Sequence, residues 1–389
     1  MTVLYIVDPG IVGGATISFM EVIHQVTTNG IKSIVCTSEE NELSRRLEFA
    51  GIKTCILGHT QMLDPVSPHK WKRPIKYPIR WIEYRIKRYI ALSKIKSMVD
   101  FSEVDLIHTN SARVDLGCYL SRKYGIPHIM HFREFADLDF KCITYNSNYI
   151  DLYNQYVTKF VAISDAVKKH WVSKGLRLEK FTTIYNGISY KDIVKSNNEA
   201  KYAPSLKMVM TGGVCEAKGQ YIAIKAFQML PDEIKEKMSL DIIGWDDPEY
   251  LKLCKEFISK HDLTEKIHFL GASNKVHNIL GMYQIGLMCS KAEGFGRVTA
   301  EYMHARLGVI ASNSGANPEL IVDRENGLLF DSGNPASLAE CIEKYFYSRE
   351  LLVNCSICAE VTATGKFTAE KNAKSIIDLY QTVSNTNKK

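Results

Sequence analysis

The chain has 389 residues and a formal net charge of +6, with 46% hydrophobic and 24% charged residues. This length is enough for two domains that each bury a core, and the composition excludes a disordered chain. No run of about 18 apolar residues is present, which excludes a hydrophobic membrane-spanning helix. The N-terminal apolar run is short and no basic residue precedes it, so we expect no signal peptide.

Short apolar runs alternate with helical stretches, which is typical of βαβ units and parallel sheets. The first series of predicted strands is Val3–Val7, Ser33–Thr37, Thr54–Leu57, Asp105–His108, His128–His131, Lys159–Ile163 and Thr182–Ile184. After a polar linker at 195–204, the second series is Lys207–Thr211, Ser239–Ile243, Lys266–Phe269, Ile285–Cys289, Val309–Ala311 and Leu328–Phe330. The sequence therefore predicts an α/β protein with two doubly wound domains, residues 1–200 and 205–370, followed by a helix near 367–383.

The loop after the first strand runs from Asp8 to Ala15 and contains Gly10, Gly13 and Gly14. These glycines do not form the G-x-G-x-x-G of a dinucleotide site, although Glu39 is loosely placed for the acid that such a site requires. From this loop alone, a dehydrogenase remains a possible class of protein, and a plain tight turn without a ligand is a further alternative.

The segment 69–96 carries ten Lys or Arg residues against one Glu, so it accounts for the positive charge of the chain. Its isoleucines follow helical spacing: Ile75, Ile79, Ile82, Ile86 and Ile90. Docking at an anionic bilayer surface is the favoured interpretation, and its candidate residues are Trp71, Lys72, Arg73, Arg80, Trp81, Arg85, Lys87 and Arg88. Two alternatives are an ordinary helix whose isoleucines pack on the sheet and a patch for an acidic acceptor or nucleic acid. We expect no nucleic acid partner.

Three polar residues follow the strand that begins at His128. His131 ends this strand, and Arg133 and Glu134 come directly after it. Ligands of open α/β sheets bind at the carboxyl ends of strands, so His131 is expected to line a site. Arg133 and Glu134 are weaker candidates for acceptor contacts, and a structural histidine is the alternative.

The second domain opens with a strand that runs into Gly212 and Gly213 and is followed by Lys218. From position alone, Lys218 is a lysine at a helix start, and such a lysine is usually solvated.

The stretch Glu293-Gly-Phe-Gly-Arg-Val-Thr-Ala-Glu301 carries the most information. Glu293 would lie at the end of a buried strand, and a helix is predicted from Val298 to Arg306. Its free amides would meet phosphates, and Glu301 would reach back to accept hydrogen bonds from sugar hydroxyls.

These segments resemble glycosyltransferase family 4, the retaining enzymes with two facing Rossmann-like domains known as the GT-B fold. Glu293 and Glu301 match the family's E-x7-E motif, including the Gly-Phe-Gly insert. Lys218 matches the lysine of its G-R-L-x-x-x-K-G loop, but Gly213 stands where that loop has arginine. The resemblance implies that Lys218 grips the donor diphosphate and supplies positive charge as the leaving group becomes more negative. Arg297 is a candidate to replace this missing cation.

The resemblance also covers the first domain. Gly13 and Gly14 match a Gly-Gly pair beside the donor phosphates, and His131 matches a histidine near the donor sugar. The first domain would bind the acceptor, and a last helix over about 371–389 would pack back on it. Asp137 and Asp139 have the D-x-D spacing of metal-dependent glycosyltransferases of a different fold, but we assign them to loop structure.

The resemblance implies transfer of a sugar from a nucleotide diphospho-sugar with retention at the anomeric carbon. We expect the donor to be UDP- or GDP-linked, and we expect no metal and no cofactor. Glu293 and His131 are then the candidate catalytic residues. The candidate donor-binding residues are Gly13, Gly14, Gly213, Lys218, Gly294, Phe295, Gly296, Arg297, Val298 and Glu301.

The basic segment favours a lipid-linked saccharide as acceptor, as in surface polysaccharide assembly of the O-antigen or capsule type. The ten cysteines are dispersed, and the single C-x-x-C, Cys355 to Cys358, suits packing better than metal or redox chemistry. We therefore expect a cytoplasmic protein that is peripheral on the membrane. A soluble acceptor and a non-catalytic sugar-nucleotide-binding or scaffold protein stay open.

Overall fold

The structure, a computed structural model, describes residues 1–8, 14–65 and 73–386. By their internal contacts the residues divide into two units, Met1–Gly187 with Ala369–Lys389 (unit 1) and Ile188–Thr368 (unit 2). Gly13, Trp71 and Lys72, which were predicted to bind donor or membrane, lie outside the described residues.

The strands and helices alternate along both units. The strands are β1 (Thr2–Ile6), β2 (Lys32–Thr37), β3 (Lys53–Ile56), β4 (Leu63–Pro65), β5 (Leu106–Thr109), β6 (His128–Phe132), β7 (Cys142–Thr144), β8 (Lys159–Ala162), β9 (Phe181–Thr183), β10 (Leu206–Thr211), β11 (Met238–Ile243), β12 (Ile267–Gly271), β13 (Ile285–Met288), β14 (Gly308–Ser312) and β15 (Leu328–Phe330). The helices are α1 (Gly14–Thr28), α2 (Glu42–Phe49), α3 (Arg73–Met98), α4 (Leu116–Tyr124), α5 (Asp137–Phe140), α6 (Tyr149–Tyr156), α7 (Asp165–Ser173), α8 (Gln220–Met229), α9 (Asp232–Lys237), α10 (Pro248–Lys260), α11 (Val276–Ile279), α12 (Arg297–His304), α13 (Asn317–Leu320), α14 (Pro335–Tyr347), α15 (Arg349–Lys366) and α16 (Ala369–Thr386).

Unit 1 is built on a seven-stranded parallel sheet in the order β3-β2-β1-β5-β6-β8-β9. Its strands are buried on both faces, which is why they read as continuous apolar runs in the sequence. Helix α16 packs beside α1, with Ile376 and Tyr380 in the same core cluster as Phe19 and Ile23.

Unit 2 is built on a six-stranded parallel sheet in the order β12-β11-β10-β13-β14-β15. The strand order reverses between β10 and β13, and such a switch point is where doubly wound sheets bind ligands. The loops that follow these two strands contain Lys218 and Glu293. Two parallel sheets flanked by helices confirm the predicted α/β class with two Rossmann-like domains.

The predicted boundary of the first domain, residue 200, lies beyond the end of unit 1 at Gly187. The residues after Gly187 are hydrogen-bonded within unit 2: Val194 N donates to His277 O at 3.1 Å, and Ser196 Oγ donates to Tyr283 O at 2.6 Å. The polar composition suggested a linker here, although the start of this segment is held to unit 2 by hydrogen bonds.

Two strands were not predicted. β4 and β7 form a separate antiparallel ribbon in which Leu63 pairs with Thr144 and Pro65 pairs with Cys142. Each has three residues and neither forms an apolar run, since β4 contains Asp64 and Pro65, so the sequence carries no strand signal there. Within the described residues, no helix combines the length and the apolar character needed to cross a bilayer.

Candidate functional site

The loop between β10 and α8 is held against the end of β13. Gly212 and Gly219 have φ angles of 118° and 76°, which favour glycine. A Cβ on Gly219 would lie 2.4 Å from the carbonyl oxygen of Cys289, so the close approach also requires glycine. The consequence is that Lys218 Nζ lies 2.9 Å from Glu293 Oε2, and the lysine and one acid of the E-x7-E pair meet.

The backbone of Glu293 is fixed by the turn after β14. Its carbonyl oxygen accepts a hydrogen bond from Ala316 N at 2.8 Å, and Gly315 packs so closely that a Cβ there would lie 2.6 Å from Glu293 N. Gly296 adopts a φ of 88° and precedes α12, which begins at Arg297, one residue before the predicted start. Glu293 thus lies in the turn that leads into the amino end of α12, and the amino end of a helix attracts anions.

Phe295 turns its side chain away from this helix start. The ring is buried and packs edge to face on Phe367, with 5.6 Å between ring centroids. The donor contact that the sequence predicted for Phe295 would therefore involve its backbone and not its ring, and it stays a prediction.

Glu301 lies one helical turn into α12 between two basic side chains. Its Oε1 is 3.5 Å from His277 Nε2 and 3.8 Å from a guanidinium nitrogen of Arg297. The hydrogen bond to Glu301 is the main cause that raises the pKa of His277 above its ordinary value. The adjacent Tyr302 hydroxyl accepts a hydrogen bond from Thr211 N at 2.6 Å, which anchors α12 to the end of β10.

Gly213, at the position where the resembled motif has arginine, lies directly against the side chain of Trp245. A Cβ on Gly213 would lie 2.7 Å from Cζ2 of Trp245, so an arginine at 213 would require Trp245 to move. The guanidinium of Arg297 is placed beside Glu301, and its replacement of the missing cation stays a prediction. His277 and Trp245 were absent from the predicted site, although both follow strand ends and that signal could have found them.

His131 lies at the carboxyl end of the unit 1 sheet. It is fully buried, and its ring stacks on that of His108 with centroids 5.5 Å apart. Burial lowers the pKa of His131 well below its ordinary value, so the imidazole is neutral. The Arg133 guanidinium donates to His131 Nδ1 at 3.4 Å, which places the proton on Nε2. Among the described residues, this Nε2 has no hydrogen-bond partner.

Arg133 is clamped between two asparagine side chains. Its Nε donates to Asn110 Oδ1 and its Nη1 donates to Asn186 Oδ1, both at 2.9 Å. These asparagines follow β5 and β9, so the ends of separate elements set the orientation of the guanidinium. Neither asparagine was among the predicted site residues.

Glu134 is part of a buried polar cluster with Asp8. Ser111 Oγ lies 2.8 Å from Glu134 Oε1 and 2.9 Å from Asp8 Oδ2, and Ala112 N donates to the same Glu134 oxygen at 3.1 Å. Burial is the main cause that raises the pKa of Glu134 to about 8, with the nearby Asp8 carboxylate adding to it. Glu134 is therefore a carboxyl group that holds its proton at neutral pH.

The D-x-D pair lies in the short helix α5, whereas the sequence placed it in a loop. The Asp137 carboxylate pairs with Lys174 and with His170, and Asp139 Oδ2 accepts a hydrogen bond from Phe135 N at 2.8 Å. Both carboxylates are thus in contact with neighbouring groups of unit 1. Within the part of the chain that the structure describes, no group of three or more His, Cys, Asp or Glu side chains is placed to hold a metal ion.

Helix α3 buries a different face from the one that the isoleucine spacing suggests. Tyr84, Ala91 and Ile95 are buried, and Arg88 packs against Tyr84 and reaches Asp115 at 3.6 Å. The isoleucines with described side chains are at least half exposed: Ile79, Ile82, Ile86 and Ile90. The alternative in which these four isoleucines pack on the sheet is therefore wrong, because the polar contacts of Tyr84 and Arg88 fix the opposite face inward.

Basic side chains border the exposed isoleucines of α3. At about 100° per residue, Arg85 and Lys96 fall on one side of the isoleucine row and Lys76, Lys87 and Lys94 on the other. All five are exposed. The Arg85 guanidinium also lies 4.8 Å from the centroid of the Trp81 ring.

Gly14 and Arg73, the remaining predicted residues near the undescribed segments, are the first residues of α1 and α3.

The chain is similar to known glycosyltransferases over most of its length. The model described as Glycosyltransferase Family 4 matches residues 12–191, and the model described as Glycosyl transferases group 1 matches residues 193–362. An uncharacterized glycosyltransferase of Methanocaldococcus jannaschii is 28% identical over 309 residues, covering 75% of this chain and 81% of the relative. An O-antigen biosynthesis glycosyltransferase of Escherichia coli is 22% identical over 306 residues, covering 75% and 84%.

Among solved structures, HepE of Anabaena in complex with UDP superposes with a TM-score of 0.80 at 19% identity, covering 98% of this chain and 100% of HepE. HepE has also been solved with UDP-glucose, and that structure gives a TM-score of 0.76 at 20% identity over the same shares of the two chains. At such identities the likeness supports the fold, which is GT-B.

Proposed function

The chain belongs to glycosyltransferase family 4, and from this membership we propose that it moves a sugar from a nucleotide diphospho-sugar to an acceptor hydroxyl with retention at the anomeric carbon. The observation that carries the proposal is the meeting of Lys218 and Glu293 beside the start of α12. Glu301, one turn further along α12, completes the set. UDP is the first donor nucleotide to test, because HepE has been solved with UDP and UDP-glucose.

Each part of the donor has a group of matching chemistry. The diphosphate meets the Lys218 ammonium and the amides at the start of α12, which act where negative charge grows as the leaving group departs. Glu301 accepts hydrogen bonds from the ribose hydroxyls, and Glu293 accepts them from the donor sugar. For Glu293 this requires Lys218 to exchange its present carboxylate partner for phosphate.

The proposed reaction is a front-face displacement. The acceptor oxygen bonds to the anomeric carbon on the face from which the phosphate oxygen leaves, so configuration is retained. The acceptor proton passes to the leaving phosphate oxygen, and a nucleoside diphosphate is released. His131 Nε2–H, which is buried at a strand end, donates a hydrogen bond to a sugar hydroxyl in this proposal, while Arg133 and Glu134 contact the acceptor.

Positive charge for the diphosphate is proposed to come from the chain itself. Lys218 and the amides of α12 supply it, so transfer is expected to continue in the presence of EDTA.

The acceptor is proposed to be a saccharide linked to a membrane lipid, with the chain docked peripherally through α3. An isoleucine row bordered by cations on both sides lets the apolar side chains enter the bilayer boundary while the ammonium and guanidinium groups remain with anionic headgroups. Each basic residue near such a surface contributes about 1 kcal/mol. The O-antigen biosynthesis relative of Escherichia coli is consistent with this class of acceptor.

The proposed function is tested by screening UDP-, GDP-, ADP- and dTDP-sugars for binding and then for transfer to a polyprenyl-diphosphate-linked saccharide. The anomeric proton coupling in the product, read by NMR, reports retention. Binding of a sugar nucleotide without turnover on any lipid-linked or soluble acceptor would contradict the enzyme and favour a scaffold.

A further inference from the structure

An exposed indole stands at the carboxyl edge of the unit 2 sheet. Trp245 lies in the loop after β11, and 65% of it is exposed. Its backbone is anchored, because Val214 N donates to Trp245 O at 2.7 Å and Asp247 N donates to Val214 O at 3.0 Å. A large aromatic ring is thus held in solvent on an anchored backbone.

The neighbouring chain is shaped to leave this ring in place. A Cβ on Gly213 would lie 2.7 Å from Cζ2 and 2.8 Å from Cε2 of Trp245. Gly212 needs glycine for its φ of 118°, but Gly213 is not among the residues with positive φ. Glycine at 213 therefore makes room for the indole of Trp245 and is not needed for a special backbone conformation.

The ring borders the loop that carries the proposed diphosphate contact. The loop 212–219 lies against Trp245 at Gly213 and contains Lys218, which pairs with Glu293. Thr211, just before this loop, is bonded to Tyr302, the neighbour of Glu301 on α12. The β11 loop also lies next to the end of β12, since Gly244 N donates to Gly271 O at 3.0 Å.

A flat indole face suits one part of a sugar nucleotide. It offers no positive charge to a diphosphate, whereas nucleobases stack on aromatic rings regardless of their hydrogen-bonding pattern. We propose that Trp245 is the stacking platform for the nucleobase of the donor, with Gly213 kept free of a side chain so that the ring can occupy this position. The proposal rests on the proposed function, because it assumes that unit 2 binds a nucleoside diphosphate.

The experiment measures dissociation constants of UDP, GDP and inorganic pyrophosphate by titration calorimetry for the wild type, Trp245→Ala and Trp245→Phe. Loss of one stacked base is expected to weaken the nucleoside diphosphate by about tenfold or more. Trp245→Phe should keep most of the affinity, and pyrophosphate binding should be the same in all three proteins. Lys218→Ala, in contrast, should weaken pyrophosphate and nucleotide alike.

A second variant separates stacking from a general effect on the loop. Gly213→Ala should displace the indole and weaken the nucleotide in the wild-type background, but it should cost little when combined with Trp245→Ala. Equal nucleotide affinity of Trp245→Ala and wild type, or equal weakening of pyrophosphate and nucleotide, would overturn the stacking role. Failure of the wild type to bind any nucleoside diphosphate would instead overturn the proposed function.

Discussion

Lys218 Nζ and Glu293 Oε2 lie 2.9 Å apart, so two side chains proposed to meet different parts of the donor are paired with each other. The lysine side chain is more exposed than the carboxylate, at 38% against 15%. Donor binding is therefore expected to draw Lys218 toward the diphosphate, while Glu293 stays fixed by its backbone contacts.

The first prediction concerns this pair. Lys218→Ala should lower kcat by about 10²- to 10³-fold, as expected for loss of one group that stabilises a leaving oxyanion. Lys252→Ala, an exposed lysine on α10, is the matched control and should leave kcat unchanged. Steady-state kinetics checks both, and equal activity of Lys218→Ala and wild type would remove Lys218 from the mechanism.

The second prediction concerns Glu301 and the ribose. Glu301→Gln should raise the KM for the donor by about tenfold while changing kcat little, because a carboxylate accepts hydroxyl protons more strongly than an amide. The wild type should also prefer the ribonucleotide donor over its 2′-deoxy analogue, and Glu301→Gln should lose much of that preference. A variant that keeps the full preference would show that the ribose is recognised elsewhere.

The third prediction concerns the exposed isoleucines of α3. Ile82→Glu combined with Ile86→Glu should abolish flotation with phosphatidylglycerol vesicles, and the unfolding free energy should change by less than about 0.5 kcal/mol because both sites are exposed. Phe49→Glu, at an exposed apolar position on α2, is the control and should still float. Wild-type protein that stays unbound at low salt would contradict docking through α3.

The fourth prediction concerns pH and Glu134. The pKa of this buried carboxyl is raised from 4.5 to about 8, so the folded state retains a proton that the unfolded chain releases. Its contribution to stability is complete below about pH 4.5 and is lost as pH rises to about 8, by at most about 1.4 kcal/mol per pH unit. Glu134→Gln should therefore gain stability relative to wild type between pH 5 and pH 8. Chemical unfolding at both pH values measures this difference, and parallel pH profiles of the two proteins would contradict it.

The sequence was sufficient for the parallel strands and for the Glu293–Glu301 turn. Strands covered on both faces appear as apolar runs, and the turn is encoded within nine consecutive residues. Ser164, directly before α7, is likewise a residue type that caps helices, and its side chain accepts a hydrogen bond from Val167 N. Local features of this kind depend on neighbours in sequence, so a single chain reveals them.

The sequence could not predict which residues from distant parts of the chain contact one another. The spacing in α3 left open whether its isoleucines face the sheet or a bilayer, and it gave no sign that Asp115, on the loop before α4, draws Tyr84 and Arg88 inward. The contact between His277 and Glu301 and the placement of Trp245 against Gly213 likewise join residues from different elements of the fold. Such contacts depend on the arrangement of the sheet, and periodicity carries no information about them.

The central claim is tested most directly by transfer of a radiolabelled sugar from UDP- or GDP-sugars to a polyprenyl-diphosphate-linked saccharide by wild-type protein and by Glu293→Gln. The account predicts label in the lipid product with the wild type and at least a hundredfold slower transfer with the variant, of the order expected for a catalytic contact. Equal transfer by both proteins would contradict the role given to the turn after β13, and no transfer by wild-type protein from any donor would contradict the proposed function.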